Sequence, residues 1–422
     1  MPPLTDPERR VLDALDEAEL VDTLAALVRV PSVTGSPAEG EVLALLAGWY
    51  AEAGLEVDQW EDDLDELRDA DGFPGTEAPR ERVWGLVGTS TGDGRPGLVL
   101  QGHVDVVPAG DLALWAAGDP WSARVEGGRM HGRGTCDMKA GVAANLAVAR
   151  AVHRSGVRTR RRLALHAVGS EEDGGLGAFA TLRRGHTGDA AVITEPTAGR
   201  LVTANAGALT FRVEVAGRAA HGSTRLEGAS ALDAFWPLHA ALHRLEADRN
   251  ADARGLVPDN PLPYAISVGL VRAGDWSSTV PDRLVAEGRM GVRLGEEPAA
   301  ARAALEAALA GAAGADPWLR DHPPLVAWPG GQFASGRLPD GDPLADDVAT
   351  SVTAVGGRRP PTAVAPYGSD LRLYAAAGIP TLQYGPGDVR LAHTTRESVP
   401  LAEVVAVARA LAVLAVRRLG VD

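Results

Sequence analysis

Six side chains, His103, Asp137, Glu171, Glu172, Glu195 and His393, have the types and spacing that hydrolytic metal chemistry needs. They stand in the segments QGHVDVVP, HGRGTCDMKAG, GSEEDGG, ITEP and LAHTTRE, each placed where an apolar, β-rich run ends. Carboxylate oxygens and imidazole nitrogens bind a hydrolytic metal while leaving positions open for water and substrate, and a bridging carboxylate brings two ions to about 3.5–4 Å. Glu171 and Glu172 are adjacent, so on an extended segment they point to opposite sides. One can be a ligand, which leaves the other to accept a proton from the attacking water. The pattern predicts a two-metal hydrolase that carries its own general base.

Such residues need a scaffold, and 422 residues exceed one hydrophobic core of ordinary size, so two or three domains are expected. The 45% hydrophobic and 23% charged fractions are those of a soluble globular enzyme. A net charge of −15 argues against nucleic acid and for a small substrate. Cys136 is the single cysteine, which excludes an intrachain disulfide and a thiolate metal cluster. The acidic opening lacks a signal-peptide pattern, and no run of about 18 apolar residues occurs. A cytoplasmic protein without a membrane segment is therefore expected.

Helical spacing marks residues 17–29 and 38–53, and the acidic, Gly- and Pro-punctuated stretch 62–82 reads as a solvent-exposed loop. Strand-type runs at 83–88, 97–102, 161–169 and 190–194 then alternate with helical runs at 138–153 and 175–184, which predicts an α/β domain with a mainly parallel central sheet flanked by helices. From Ala206 the text changes to β-α-β-β-α-β, with strands at 208–217, 264–271, 283–294 and 324–328 around helices at 229–247 and 298–312. That order is a split βαβ motif. The α/β pattern returns with helices near 342–355, 369–377 and 400–418 and strands near 362–365 and 380–384. The expected organisation is a catalytic domain in two parts, 1–205 and 331–422, interrupted by an inserted α+β domain at 206–330.

Taken together, these segments resemble the di-zinc hydrolase family of acetylornithine deacetylase, succinyl-diaminopimelate desuccinylase, aminoacylase and glutamate carboxypeptidase, over nearly the whole chain. The resemblance implies two Zn2+ per subunit, with Co2+ or Mn2+ as substitutes: His103 and Glu195 on one ion, Glu172 and His393 on the other, Asp137 on both. It makes Glu171 the general base, Asp105 the partner that orients His103, and Asp137–Met138 a cis peptide. It makes the insert a lid through which a homodimer forms, with His221 reaching the neighbouring site to meet the oxyanion. For the substrate carboxylate it offers Arg293 first and Arg289 behind it, and it places Ser369, in the YGSD turn, beside the substrate. Where many members have an asparagine before the VP of the lid, this chain reads DWSSTVPD, so that contact is not carried over. The family's pattern of a glutamate at 195 favours deacylation of an N-acyl amino acid. A carboxypeptidase or dipeptidase acting on small peptides is the near alternative, and a non-catalytic metal-binding protein the remote one.

Overall fold

The computed structural model describes residues 3–253 and 260–421. Its largest sheet has nine strands, eight of them in the order Glu56–Asp63, Arg82–Thr89, Arg161–Val168, Asp93–His103, Ala191–Pro196, Thr381–Gly385, Leu201–Asn205 and Gly336–Arg337. The ninth, Thr362–Ala365, runs parallel to Leu201–Asn205. The four central strands, from Arg161–Val168 to Thr381–Gly385, are mutually parallel, while the two edges add antiparallel partners. A parallel centre is expected where helices cover both faces.

Alternation along each strand divides the core accordingly. Leu98, Leu100, Leu163, Leu165 and Val192 face one large cluster with the helices Glu17–Arg29, Lys139–Ser155 and Leu401–Leu419. Val99, Ala164, Ala191 and Ile193 face the other side, against Ala178, Leu371 and Tyr374 of the helices Leu176–Arg183 and Leu371–Ala376. Burying one such aliphatic side chain contributes roughly 1.5–3 kcal/mol. The helix Lys139–Ser155 lies close on the sheet because its residues are small. A Cβ on Gly141 would collide with the carbonyl oxygen of Thr194, next to Glu195. Its first residue, Lys139, is fully buried and donates Nζ to the carbonyls of Leu27 (3.0 Å) and Val30 (2.8 Å), which ties two helices together just behind Asp137.

The second sheet is antiparallel, in the order Ile266–Ala273, Arg283–Val292, Gly207–Ala216 and Leu325–Ala327, with Gln332–Phe333 also paired to Gly207–Ala216 beyond the expected boundary at 330. Helices Ala231–Asn250 and Pro298–Ala315 cover one face, on Leu209, Phe211, Val213, Leu284, Ala286 and Met290. The opposite face carries Thr210, Arg212, Glu287 and Arg289. Among the described residues no helix is long and apolar enough to cross a membrane.

The stretch 62–82 departs from the sequence expectation. It starts in the edge strand Glu56–Asp63 and the short helix Leu64–Arg68, and then folds inward. Arg80 is buried in an ion pair with Glu39 (2.9 Å) and Asp173 (2.8 Å), and Asp173 also accepts the N–H groups of Glu77 and Ala78 (2.7 Å for Ala78). Composition marked this segment as exposed because its counter-charges are distant in sequence.

Candidate active site

The parallel strands all end on the same edge of the sheet, and an open α/β sheet binds its ligands outside those carboxyl ends. His103 is the last residue of Asp93–His103, Glu195 lies near the end of Ala191–Pro196, and Glu171 and Glu172 follow Arg161–Val168 through the turn at Gly169–Ser170. Ser170 and His393 both have left-handed backbone, at φ 62° and 61°. That conformation costs a non-glycine residue on the order of 1 kcal/mol and gathers at functional sites.

Asp105 holds three of these residues at once. Its carboxylate accepts the N–H groups of Glu171 (3.1 Å) and Glu172 (3.2 Å), and its carbonyl oxygen lies 2.9 Å from Nδ1 of His103, closer than its carboxylate at 3.5 Å. Imidazole orientation therefore comes mainly from the main chain of Asp105, and its side chain fixes the two glutamates. Asp137 is held by a residue that the sequence pattern did not single out. One oxygen of Glu397 accepts the N–H groups of Cys136 (3.0 Å) and Asp137 (3.2 Å), and the other pairs with Arg133 at 2.5 Å. The peptide Asp137–Met138 is cis.

The side chains converge. Ligand atoms of His103, Glu171 and Glu195 lie within 4.8 Å of one another, and so do those of His103, Asp137 and Glu172. His393 completes the second group, with Nε2 at 3.0 Å from Glu172 and 3.5 Å from Asp137. Four carboxylates thus crowd around two imidazoles. Burial, then the nearby Asp370, raises Glu171 well above the usual carboxylate range. Burial likewise raises Glu195 and Glu172, with other carboxylates adding to it. His393 is pushed up to about 10 by its hydrogen bonds to Asp137 and Glu172, and His103 is raised because Glu195, Asp105 and Asp137 outweigh its burial. Each shift reports an excess of buried negative potential, which divalent cations on oxygen and nitrogen donors would satisfy. The residues present fit a metal centre.

A cleft of about 620 Å3 opens on this group, lined by Glu171, Glu172, His393, Tyr367, Glu77 and Arg289 among others. Here the order of the two arginines reverses. Arg289 lies in the cleft wall, and its hydrogen bond to a protein atom is a long one, 3.4 Å to the carbonyl of Pro366. Arg293 turns away and donates to the carbonyls of Asp248 (3.1 Å) and Arg249 (2.8 Å) at the end of the helix Ala231–Asn250. Ser369 is also corrected: it is buried, and its hydroxyl is occupied by Nε2 of Gln383 at 2.6 Å, behind Tyr367 and Gly368. His221 is exposed on the insert, with Nδ1 2.7 Å from the Ser223 hydroxyl, and it is not among the residues lining this cleft. Cys136 is buried against the carbonyl of Asp388 (3.3 Å), and His166 is buried with Nδ1 2.8 Å from the Tyr374 hydroxyl, both as structural residues.

Comparison with known proteins places the geometry in context. The profile of Peptidase family M20/M25/M40 matches residues 99–417. The chain is 30% identical to a succinyl-diaminopimelate desuccinylase of Methylorubrum extorquens (strain PA1), over 90% of this chain and 93% of that protein. It is 26% identical to an N-formyl-4-amino-5-aminomethyl-2-methylpyrimidine deformylase of Bacillus subtilis (strain 168), over 92% of this chain and 91% of that one. In fold it is similar to the dipeptidase Dug1p of Saccharomyces cerevisiae, with a TM-score of 0.76 at 14% identity, covering 97% and 98% of the two chains. A profile spanning most of the chain and a relative aligned almost end to end lead to one conclusion: the chain belongs to Peptidase family M20/M25/M40 and is a metal-dependent hydrolase of amide C–N bonds.

Proposed function

We propose that this enzyme removes the acyl group from an N-acyl amino acid with two zinc ions per subunit. The observation that carries the reading is the meeting of two ligand groups at His103, with Glu171 inside the same 4.8 Å span. In this reading His103 and Glu195 hold one ion, Glu172 and His393 the other, and Asp137 both. When bound, such a pair polarises the scissile carbonyl and makes water nucleophilic near neutral pH. Glu171 takes one proton from the water on its carboxylate as the C–O bond forms. It returns that proton to the amide nitrogen as the C–N bond breaks, so a carboxylic acid and a free amine leave. Asp105 keeps both glutamates in place throughout. Arg289 receives the substrate carboxylate, which suits a guanidinium fork with most of its donors open to the cleft.

We further propose a homodimer through the insert, with His221 of one copy meeting the oxyanion in the other. Support comes from the edge strand Ile266–Ala273, where Leu270 and Val271 are 51% and 49% exposed, and from Trp236, 57% exposed on the helix Ala231–Asn250. An unpaired strand edge with apolar side chains invites a second chain. Nδ1 of His221 is engaged by Ser223, which leaves Nε2 for a partner.

The test is metal content per subunit, together with amine release from N-acetyl, N-formyl and N-succinyl amino acids and from dipeptides, before and after chelation. Two ions and chelator-sensitive release from the N-acyl compounds are expected. Release from dipeptides alone would move the enzyme to the peptidases, and protein that binds no metal would overturn the site.

A further inference from the structure

A second cavity, of about 570 Å3, lies against the segment that leads to His393 and contains none of the residues of the active-site cleft. Its walls are largely apolar, with Val352, Pro360, Pro386, Leu391, Pro400 and Val407. Two of its charged residues are already engaged: Arg129 donates to the Ser398 hydroxyl (3.1 Å), and Asp388 pairs with Arg390 (2.9 Å). Three other polar groups have no task in the fold or in the catalytic chemistry. Tyr384 is 5% exposed, and among the described residues its hydroxyl has no hydrogen-bond partner. Burial, then Glu403, raises that hydroxyl to about 12, so it remains a donor. Arg358 is exposed and, among the described residues, makes neither a hydrogen bond nor an ion pair. Glu403 accepts the N–H of Gly387 at 3.1 Å with one oxygen and keeps the other unbonded among the described residues. A few polar groups converging on mostly apolar walls are the parts of a small-molecule site. The wall also bears on the metal ligands. At its carbonyl Leu391 accepts the N–H (3.3 Å) and the hydroxyl (2.8 Å) of Thr394, the residue after His393, and the carbonyl of Asp388 accepts the thiol of Cys136, next to Asp137.

We infer that this cavity is a second, non-catalytic binding site for a free α-amino acid with an apolar side chain. Arg358 and the Tyr384 hydroxyl take its carboxylate, Glu403 its ammonium, and the side chain lies among Pro360, Pro386, Leu391 and Val407. A guanidinium fork suits the carboxylate, and opposite charges on the two sides set the orientation. Once seated, the amino acid braces Leu391 and through it the loop of His393, so an ion held there leaves more slowly. Resting on the deacylase reading, the ligand is of the same class as the amine product, and the cavity then reports product to the metal centre.

The experiment is titration calorimetry on the metal-loaded enzyme with L-leucine, with 4-methylpentanoate, which lacks the ammonium, and with 3-methylbutylamine, which lacks the carboxylate. Leucine should bind, and each analogue should bind about tenfold or more weakly. Two variants at exposed positions test the place: Arg358→Ala removes the cation, and Ala406→Trp sets an indole into the cavity from its rim. Both should weaken leucine binding by about tenfold or more, while kcat and KM for the substrate selected from the panel stay as in wild type. Saturating leucine should also slow the loss of metal to a chelator in wild type and leave it unchanged in both variants. No binding of leucine overturns the inference, as does equal binding of the three compounds. So does unchanged leucine affinity in both variants, which would place leucine at the metals instead. Binding that the variants abolish, with metal loss unaffected by leucine, overturns the brace on His393. Amine release from dipeptides alone, with leucine binding still abolished by the variants, would sink the deacylase reading and leave the second site standing.

Discussion

The two sheets of this molecule solve opposite problems. The nine-stranded sheet is parallel at its centre and covered on both faces, so the groups at its strand ends stand on backbone that cannot shift without disturbing two cores. The insert sheet is antiparallel and covered on one face, leaving a row of polar side chains open to the cleft. On the proposed mechanism, the metal-binding and proton-transfer groups are rooted in the first, and the groups that meet the substrate in the second. The general point is that precision comes from two-sided burial and adaptability from a one-sided sheet.

Substitutions on the two sheets should therefore separate in kinetics. The largest effect is expected from Glu171→Gln, which should lower kcat by about 10^3-fold with both ions still bound, as atomic absorption would show; near-normal turnover would refute its role. Asp105→Ala removes the acceptor for both glutamate N–H groups. It should weaken metal binding by about 10- to 100-fold, read from activity against buffered zinc. On the insert, Arg289→Ala should raise KM by about 10-fold or more with a smaller change in kcat. Arg293→Ala should instead cost about 1 kcal/mol in urea unfolding while KM stays close to wild type. If both arginine variants shift KM alike, the division between the sheets fails.

The smallest effect lies outside the site. Burial, with His186 nearby, pushes His166 down to about 3, so the folded protein keeps it neutral where the unfolded chain, with an ordinary value near 6.5, protonates it. The associated stability is intact above about pH 6.5 and is lost as the pH falls toward 3, by about 2 kcal/mol at pH 5. Urea titrations at pH 7.5 and pH 5 should show wild-type protein losing that much more than His166→Gln.

What could be read from the sequence follows the same division. Ligand chemistry admits few residue types, and the apolar runs before His103, Glu171 and Glu195 are long enough to reveal strands, so the convergence of these side chains and the parallel centre were legible. The arginines were not. Residues 289 and 293 share strand parity, and only the end of the strand at Val292 sends Arg293 to the carbonyls of the helix Ala231–Asn250. Ser369 sits in the expected turn, yet whether its hydroxyl faces the cleft or Gln383 is decided by contacts distant in sequence. Glu397 ended a segment already singled out for His393; its role became visible only with the N–H groups of Cys136 and Asp137 opposite it. The strand Glu56–Asp63 escaped notice because it is an edge, rich in acids, with a single buried residue, Trp60.

His393 differs from the other proposed ligands in one respect with a kinetic consequence. It is carried by a loop and is 52% exposed, whereas His103 and Glu195 are buried at strand ends. On the proposed division of ligands, the two ions do not share one escape rate. An ion on the His393 side would be held partly from an exposed loop, and one on the His103 side from buried strand ends. Chelation should then proceed in two phases through a long-lived species with one ion, and the occupancy found in any preparation becomes a record of how long it spent without free metal.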